Sequence, residues 1–288
     1  MLLIGHNKQQ QYFNQIIANG MLGHAYLFSG PEMIGKKSFA LNLFDLINRR
    51  SFKNDPDFVS VSPDLSKEES KIYIEDVRKL KSFFYLRPYF GPYKFALIND
   101  AHCLTSEASN ALLKILEEPP SFSIIILVTS LLKLLPATLV SRCEPIRFNE
   151  AGDEELNSYL AGQKIKPEDK EFLVKLARGR IGLVNRLLED NGILEARKAI
   201  DDLRKLLNSG IYEKMDYAKK VHEKAVQGGS LQRDYGQLVG YWLNWVSAHV
   251  RNSPKNAKIV KNLLVLHQLI SQSQFNHRLA LENFLLNL

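Results

Sequence analysis

The residues best suited to chemistry form a phosphate-binding loop near the N-terminus. Gly30, Gly35 and Lys36 match the first and last parts of the pattern G-x-x-x-x-G-K-[ST]. In that motif, backbone N–H groups and the lysine surround phosphate oxygens, and a hydroxyl binds Mg²⁺. Lys37 occupies the hydroxyl position, and Ser38 follows it. Because a cation repels a metal ion, we expect a nucleotide loop with impaired metal chemistry.

A second set of candidates follows the apolar run at residues 95–98. In a working P-loop ATPase this strand ends in an Asp that helps to hold magnesium and often in a Glu that activates water. Here the two positions are Asn99 and Asp100. An amide brings no negative charge to a dication, and aspartate is one methylene shorter than glutamate. In the other register, Asp100 is the metal ligand and Ala101 takes the position of the base. Either alignment lacks one member of the pair.

The elements around these residues predict a mainly parallel α/β sheet. Short apolar runs at residues 24–29, 94–100 and 124–129 are typical of buried strands, with a further short strand at residues 58–61. Strands of this kind, separated by helices, imply a sheet covered on both faces. Ligands of such sheets bind at the carboxyl ends of the strands. Thr129 and Ser130 lie at such an end, where a sensor residue would detect a γ-phosphate.

Helical patterns lie between the predicted strands, and from residue 153 onward the predicted elements are helices. We expect helices at residues 38–46, 74–85 and 107–117, the last capped by Thr105 or Ser106 and stopped by Pro119 and Pro120. Along the second of these, Val77, Leu80, Lys81 and Phe84 share one side. Residues 153–190 predict two or three short helices, residues 193–207 another, and residues 211–288 are helical with breaks near 228–229 and 252–254. The expected domains are a nucleotide-binding domain at 1–150, a small helical domain at 151–204 and a helical domain at 205–288.

Composition narrows the class of protein. The 288 residues carry a formal net charge of +7, and residues 205–288 hold 11 Lys or Arg against 5 Asp or Glu. This asymmetry fits either attraction to nucleic acid or solvated helix faces with an acidic protein partner. The sequence has no run near the ~18 apolar residues of a membrane helix and no secretory pattern. With only Cys103 and Cys143, both expected to be structural, we predict a cytoplasmic protein without membrane contact or disulfide scaffold.

Four segments give the chain a family resemblance from one end to the other. They resemble segments of bacterial DNA polymerase III clamp-loader subunits: residues 24–31 (HAYLFSGP, ending in Gly30 and Pro31), 110–120 (NALLKILEEPP), 135–143 (LPATLVSRC) and 278–282 (RLALE). The resemblance implies an AAA+ fold with a helical lid and a helical collar. It also implies a hetero-pentamer with delta and gamma/tau subunits that places a ring-shaped sliding clamp on primed DNA.

Within that family, the departures at Lys37, Asn99 and Gly182 resemble the delta-prime subunit. Gly182 stands where an ATPase subunit would place a sensor arginine. The resemblance then implies a stator that binds ATP or ADP weakly or not at all. It also implies that Arg142, in the Ser-Arg-Cys motif, acts as an arginine finger on a neighbour's ATP. The four-cysteine zinc module of many relatives is absent between residues 45 and 72, so we expect no structural zinc.

Two other functions remain open from the sequence. The chain could be a gamma/tau-type ATPase in which Ser38 or water replaces the missing hydroxyl and Asp100 holds magnesium. Alternatively, it could be a general AAA+ protein that binds or remodels DNA outside replication. ATP turnover that depends on Lys36 would favour the first, and self-assembly into a homo-oligomer would favour the second.

Overall fold

The computed structural model describes residues 5–63, 71–189, 191–229, 231–248, 254–270 and 275–288. These residues form two compact units. The first comprises Met1–Tyr159 and Gly179–Gly182, and the second comprises Leu160–Arg178 and Leu183–Leu288. The three-domain boundaries drawn from the sequence stay a prediction.

A five-stranded sheet forms the centre of the first unit. The strands are β1 (Ala25–Ser29), β2 (Phe58–Val61), β3 (Lys94–Ile98), β4 (Ser123–Thr129) and β5 (Glu144–Arg147). Their order is β2-β3-β4-β1-β5, and every neighbouring pair is parallel. Ser29 pairs with Thr129, and Ile98 pairs with Leu127, so the carboxyl ends of the three central strands meet at one edge.

Side chains of the central strands alternate between two hydrophobic cores. Leu27, Ile98 and Leu127 belong to one core, whereas Phe28 and Val128 belong to the other. This alternation follows from the period of two along a strand. Because both faces are buried, the strands are apolar at almost every position, as the sequence predicts.

Six α-helices of the described residues begin within residues 5–159, and members of this set cover both faces of the sheet. They are α1 (Asn7–Ala18), α2 (Lys36–Asn48), α3 (Ile74–Tyr85), α4 (Ser106–Glu117), α5 (Ala137–Val140) and α6 (Asp153–Ala161). Side chains of α1 and α2 lie in one core, and side chains of α3 and α4 lie in the other. The predicted α/β P-loop fold with helices on both faces is therefore confirmed.

The ends of α4 have visible causes in the sequence. Thr105 is the N-cap, and its hydroxyl accepts a hydrogen bond from the Ala108 N–H at 3.2 Å. This bond satisfies one of the free N–H groups of the first turn. The helix ends at Glu117, two residues before Pro119, since proline disfavours a helical conformation in the residue before it.

The second unit is helical in its described residues. The helices after residue 161 are α7 (Pro167–Ala177), α8 (Ile181–Leu188), α9 (Gly192–Leu206), α10 (Ile211–Gln227), α11 (Leu231–Ala248), α12 (Pro254–Ile270) and α13 (His277–Leu286). The first two residues of α8 belong to the first unit, and the rest of this helix belongs to the second. Trp242 is fully buried, and its indole N–H donates to the Ala199 carbonyl at 2.7 Å.

Several local predictions were incomplete. The sequence analysis missed α1, β5 and α5, and it placed no break between α12 and α13, although α12 ends at Ile270 and α13 begins at His277. Lys81 shares a side of α3 with Val77 by spacing, yet its side chain is exposed while Val77 is buried. The predicted break at residues 252–253 lies outside the described residues.

Candidate functional site

The polar groups singled out from the sequence meet at the carboxyl ends of β1, β3 and β4. They surround a cavity of about 460 Å³. Its lining includes, from the predicted set, Gly35, Lys36, Lys37, Ser38, Asn99, Asp100 and Ser130. Gly30 and Pro31 hydrogen-bond to Lys36 beside it, and Thr129 ends β4. Parallel strands bring these distant segments together because their ends share one edge of the sheet.

The phosphate loop has a conformation that requires glycine at two positions. Gly30 has φ +149° and Gly35 has φ +102°, both in regions that side chains rarely adopt. A Cβ at Gly30 would lie 2.2 Å from the Phe148 carbonyl oxygen. The loop therefore packs tightly against the chain that follows β5.

Lys36 turns its amine back onto this loop. Its Nζ donates to the Gly30 carbonyl at 2.6 Å and also to the Pro31 carbonyl. The side chain is buried, and this burial lowers its pKa to about 8, against the opposing charges of Glu32 and Asp100. Lys36 thus carries a positive charge at neutral pH at the point where the motif presents it to phosphate.

Asn99 and Asp100 are bonded to each other at the end of β3. The Asn99 Nδ2 donates to the Asp100 Oδ2 at 2.8 Å. Burial raises the pKa of Asp100, although the charges of His102, Lys36 and Lys37 oppose the shift. A single acidic side chain of the predicted pair therefore faces the cavity, with an amide on one of its oxygens.

Thr129 and Ser130 have partners that the sequence analysis did not identify. The His102 Nδ1 lies 3.2 Å from the Thr129 hydroxyl, which also accepts from the Leu131 N–H at 3.1 Å. The Ser130 hydroxyl donates to the Glu32 Oε1 at 3.2 Å. No sequence signal joins these segments, because the sheet alone makes them neighbours.

Gly182 lies directly on the phosphate loop. Its N–H donates to the Met33 carbonyl at 2.6 Å, and a Cβ at this position would lie 2.6 Å from that oxygen. Met33 itself has a positive φ of 58°. An arginine at position 182 would therefore require the loop to move. The close packing against Met33 explains why a glycine occupies this position.

Arg142 is not one of the residues that line the cavity. It follows α5, and its guanidinium bonds to the Glu117 carboxylate and the Thr138 carbonyl. The Arg142 side chain is 37% exposed. The structure thus separates this arginine from the other predicted site residues.

Cys143 belongs to the hydrophobic core on the α3 and α4 side of the sheet, and Cys103 packs against that core. Cys143 is buried and Cys103 is half-buried at the cavity. Burial raises the pKa of each thiol to about 11. A thiol with this pKa is a poor nucleophile at neutral pH, which agrees with the structural roles predicted for both.

Comparison with protein families decides the relationship. Residues 5–152, just over half of the chain, match the family described as DNA polymerase III, delta subunit. This chain belongs to that family. It is also similar to gamma/tau subunits: it is 31% identical over 199 residues to the tau/gamma subunit of Haemophilus influenzae and 28% identical over 258 residues to the gamma/tau subunit of Mycoplasma genitalium. These matches place it among the clamp-loader proteins, as the sequence predicts.

The matched regions are only part of those relatives. The match to the Haemophilus influenzae subunit covers 61% of this chain and 28% of that protein. The match to the Mycoplasma genitalium subunit covers 80% of this chain and 42% of that protein. A solved structure of a DNA polymerase III gamma subunit-related protein from Thermotoga maritima has a TM-score of 0.58 and 21% identity, over 96% of this chain and 97% of that one. That likeness supports the AAA+ fold.

No helix among the residues that the structure describes is both long enough and apolar enough to cross a membrane.

Proposed function

We propose that this chain is the delta-prime-type stator of a bacterial clamp loader. In this proposal Arg142 stabilises the transition state on ATP held by a neighbouring subunit. The observation that carries the proposal is the separation of Arg142 from its own cavity, together with its 37% exposed side chain. A guanidinium stays charged and offers a fork of donors to phosphate. An exposed arginine outside its own site is suited to act in trans.

The residues around the chain's own cavity support the proposal that the chain itself hydrolyses ATP weakly or not at all. Lys37 lines the cavity where a hydroxyl would bind magnesium, and Asn99 bonds to the carboxylate of Asp100. Gly182 fills the place of a sensor arginine with a backbone contact to the loop. Two lysines, Lys36 and Lys37, offset the negative charges of Glu32 and Asp100 in the lining, which does not favour a tightly bound Mg²⁺.

The proposal includes the partners implied by the family. The chain would act in the cytoplasm with delta and gamma/tau subunits in a hetero-pentamer, and the sliding clamp and primer-template DNA would be engaged by the whole assembly. The C-terminal helices would form a collar with those of the other subunits. Weakly bound ATP or ADP at Lys36 is compatible with this role.

The test is ATP hydrolysis by the chain alone and by a loader reconstituted with the ATPase subunits of the same organism. We expect no turnover by the chain alone. In the assembly, Arg142→Ala should slow hydrolysis at the neighbouring ATP by about 10³-fold or more, so that total turnover falls to what the remaining sites sustain. Arg147→Ala, which removes another exposed arginine five residues further along the chain, is the control. Unchanged turnover with Arg142→Ala would contradict the proposal.

A gamma/tau-type ATPase is the second candidate. It is favoured by one observation: Lys36 and Asp100, a phosphate lysine and a carboxylate, line the same cavity. Steady hydrolysis by the purified chain that disappears in Lys36→Ala would establish this alternative and exclude the stator.

A further inference from the structure

The end of α4 holds the guanidinium of Arg142. The Arg142 Nη2 lies 2.6 Å from the Glu117 Oε1, and the Nη1 donates to the Thr138 carbonyl at 3.1 Å. Both terminal nitrogens therefore bond within the chain, one to a side chain and one to the backbone. Glu117 is the last residue of α4 and Thr138 lies in α5, so the two helix segments hold the group between them.

The position of Glu117 is electrostatically unfavourable without a cation. A helix C-terminus carries a partial negative charge, and an acidic side chain there is repelled by it. Arg142 supplies the compensating positive charge at hydrogen-bond distance. The neighbouring Glu118 is exposed and belongs to the same helix end, but its carboxylate is not the one that bonds to Arg142.

We propose that Glu117 is a positioning residue for Arg142. This inference rests on the proposed function of Arg142 and extends it to a second residue. An arginine side chain loses rotamer entropy when it is fixed in one geometry. The bonds to Glu117 and Thr138 restrict that freedom before a neighbouring subunit binds. The side chain remains 37% exposed, so a phosphate on another subunit can still reach it.

The proposal predicts a specific effect on turnover of the reconstituted loader. Glu117→Ala should lower the ATP turnover at saturating ATP by about two- to fivefold, the range given by partly exposed ion pairs. The KM for ATP should stay unchanged, because Glu117 does not touch the nucleotide in this scheme. Glu117→Gln should show a smaller loss, since its amide oxygen still accepts from the guanidinium.

A double-mutant cycle tests whether Glu117 acts through Arg142. In the Arg142→Ala background, Glu117→Ala should have no further effect on turnover. Glu118→Ala is the matched control, because it removes the same charge from the same helix end. Thermal unfolding of each purified variant checks that the fold is retained.

The outcomes separate this inference from the proposed function. If Arg142→Ala leaves turnover unchanged, the arginine finger and its positioning residue both fail. If Arg142→Ala lowers turnover but Glu117→Ala does not, or does so equally in the Arg142→Ala background, only the inference is overturned. A rise in turnover with Glu117→Ala would also overturn it, because the carboxylate would then compete with phosphate for the arginine.

Discussion

At the scale of single residues, Gly30 shows how closely the phosphate loop is packed. Its φ is +149°, and a Cβ would lie 2.2 Å from the Phe148 carbonyl oxygen. We expect Gly30→Ala to lower the free energy of unfolding by about 2–4 kcal/mol, because backbone must move and the conformation is strained. Urea unfolding measures the change.

Gly152 provides the control for this substitution. An added Cβ there would meet no atom within 4 Å, and its φ is not in the left-handed region. Gly152→Ala should change the free energy of unfolding by about 0.5 kcal/mol or less. Equal effects of the two substitutions would mean that the contact with Phe148 does not constrain the loop.

At the scale of elements, a buried carboxylate fixes the loop between α3 and β3. Asp57 is fully buried and accepts from the N–H groups of Tyr89, Phe90 and Gly91 at 2.7, 2.8 and 3.1 Å. Asp57→Asn should lower the free energy of unfolding by about 2–4 kcal/mol, since bonds to a charged acceptor are stronger than those to an amide. Chemical denaturation at neutral pH measures this loss.

The same carboxylate predicts a dependence on pH. Burial acts to raise the pKa of Asp57, but the three N–H donors and the charge of Lys94 more than offset it and leave the pKa below the ordinary 3.8. The unfolded state then binds the proton first as the pH falls. The difference in unfolding free energy between the native chain and Asp57→Asn should be largest above pH ~4 and shrink below it.

An exposed carboxylate serves as the control for Asp57. Glu75 lies on α3 with its side chain exposed, and Glu75→Gln should cost about 0.5 kcal/mol or less. If the two substitutions lowered stability equally, the three backbone bonds to Asp57 would not be what fixes the loop.

At the scale of the whole molecule, the stator proposal predicts that the isolated chain does not form homo-oligomers. We expect the purified chain to sediment as a monomer and to enter a larger complex only when delta and gamma/tau subunits are added. Sedimentation velocity over a range of protein concentrations measures both. A stable homo-oligomer without those subunits would favour the general AAA+ protein.

The sequence by itself determined the class of fold and many of its elements, although α1, β5 and α5 were missed. Near-continuous apolar runs predicted β1, β3 and β4, because a strand buried on both faces is apolar at every position. Thr105 and Pro119 predicted the ends of α4 through local chemistry. By contrast, β5 has exposed or half-buried side chains at its four positions, so its pairing with β1 left little apolar signal to read.

The tertiary structure decided which of these residues meet. Lys36, Asp100 and Ser130 lie far apart in the chain and line one cavity because three parallel strands end at the same edge. Likewise, the bond between Glu117 and Arg142 depends on how α4 and α5 pack, and no spacing in the sequence specifies it. Secondary-structure propensity and the hydrophobic pattern can be read from short segments of the sequence. Contacts between distant residues form only when the order of the strands brings their segments together.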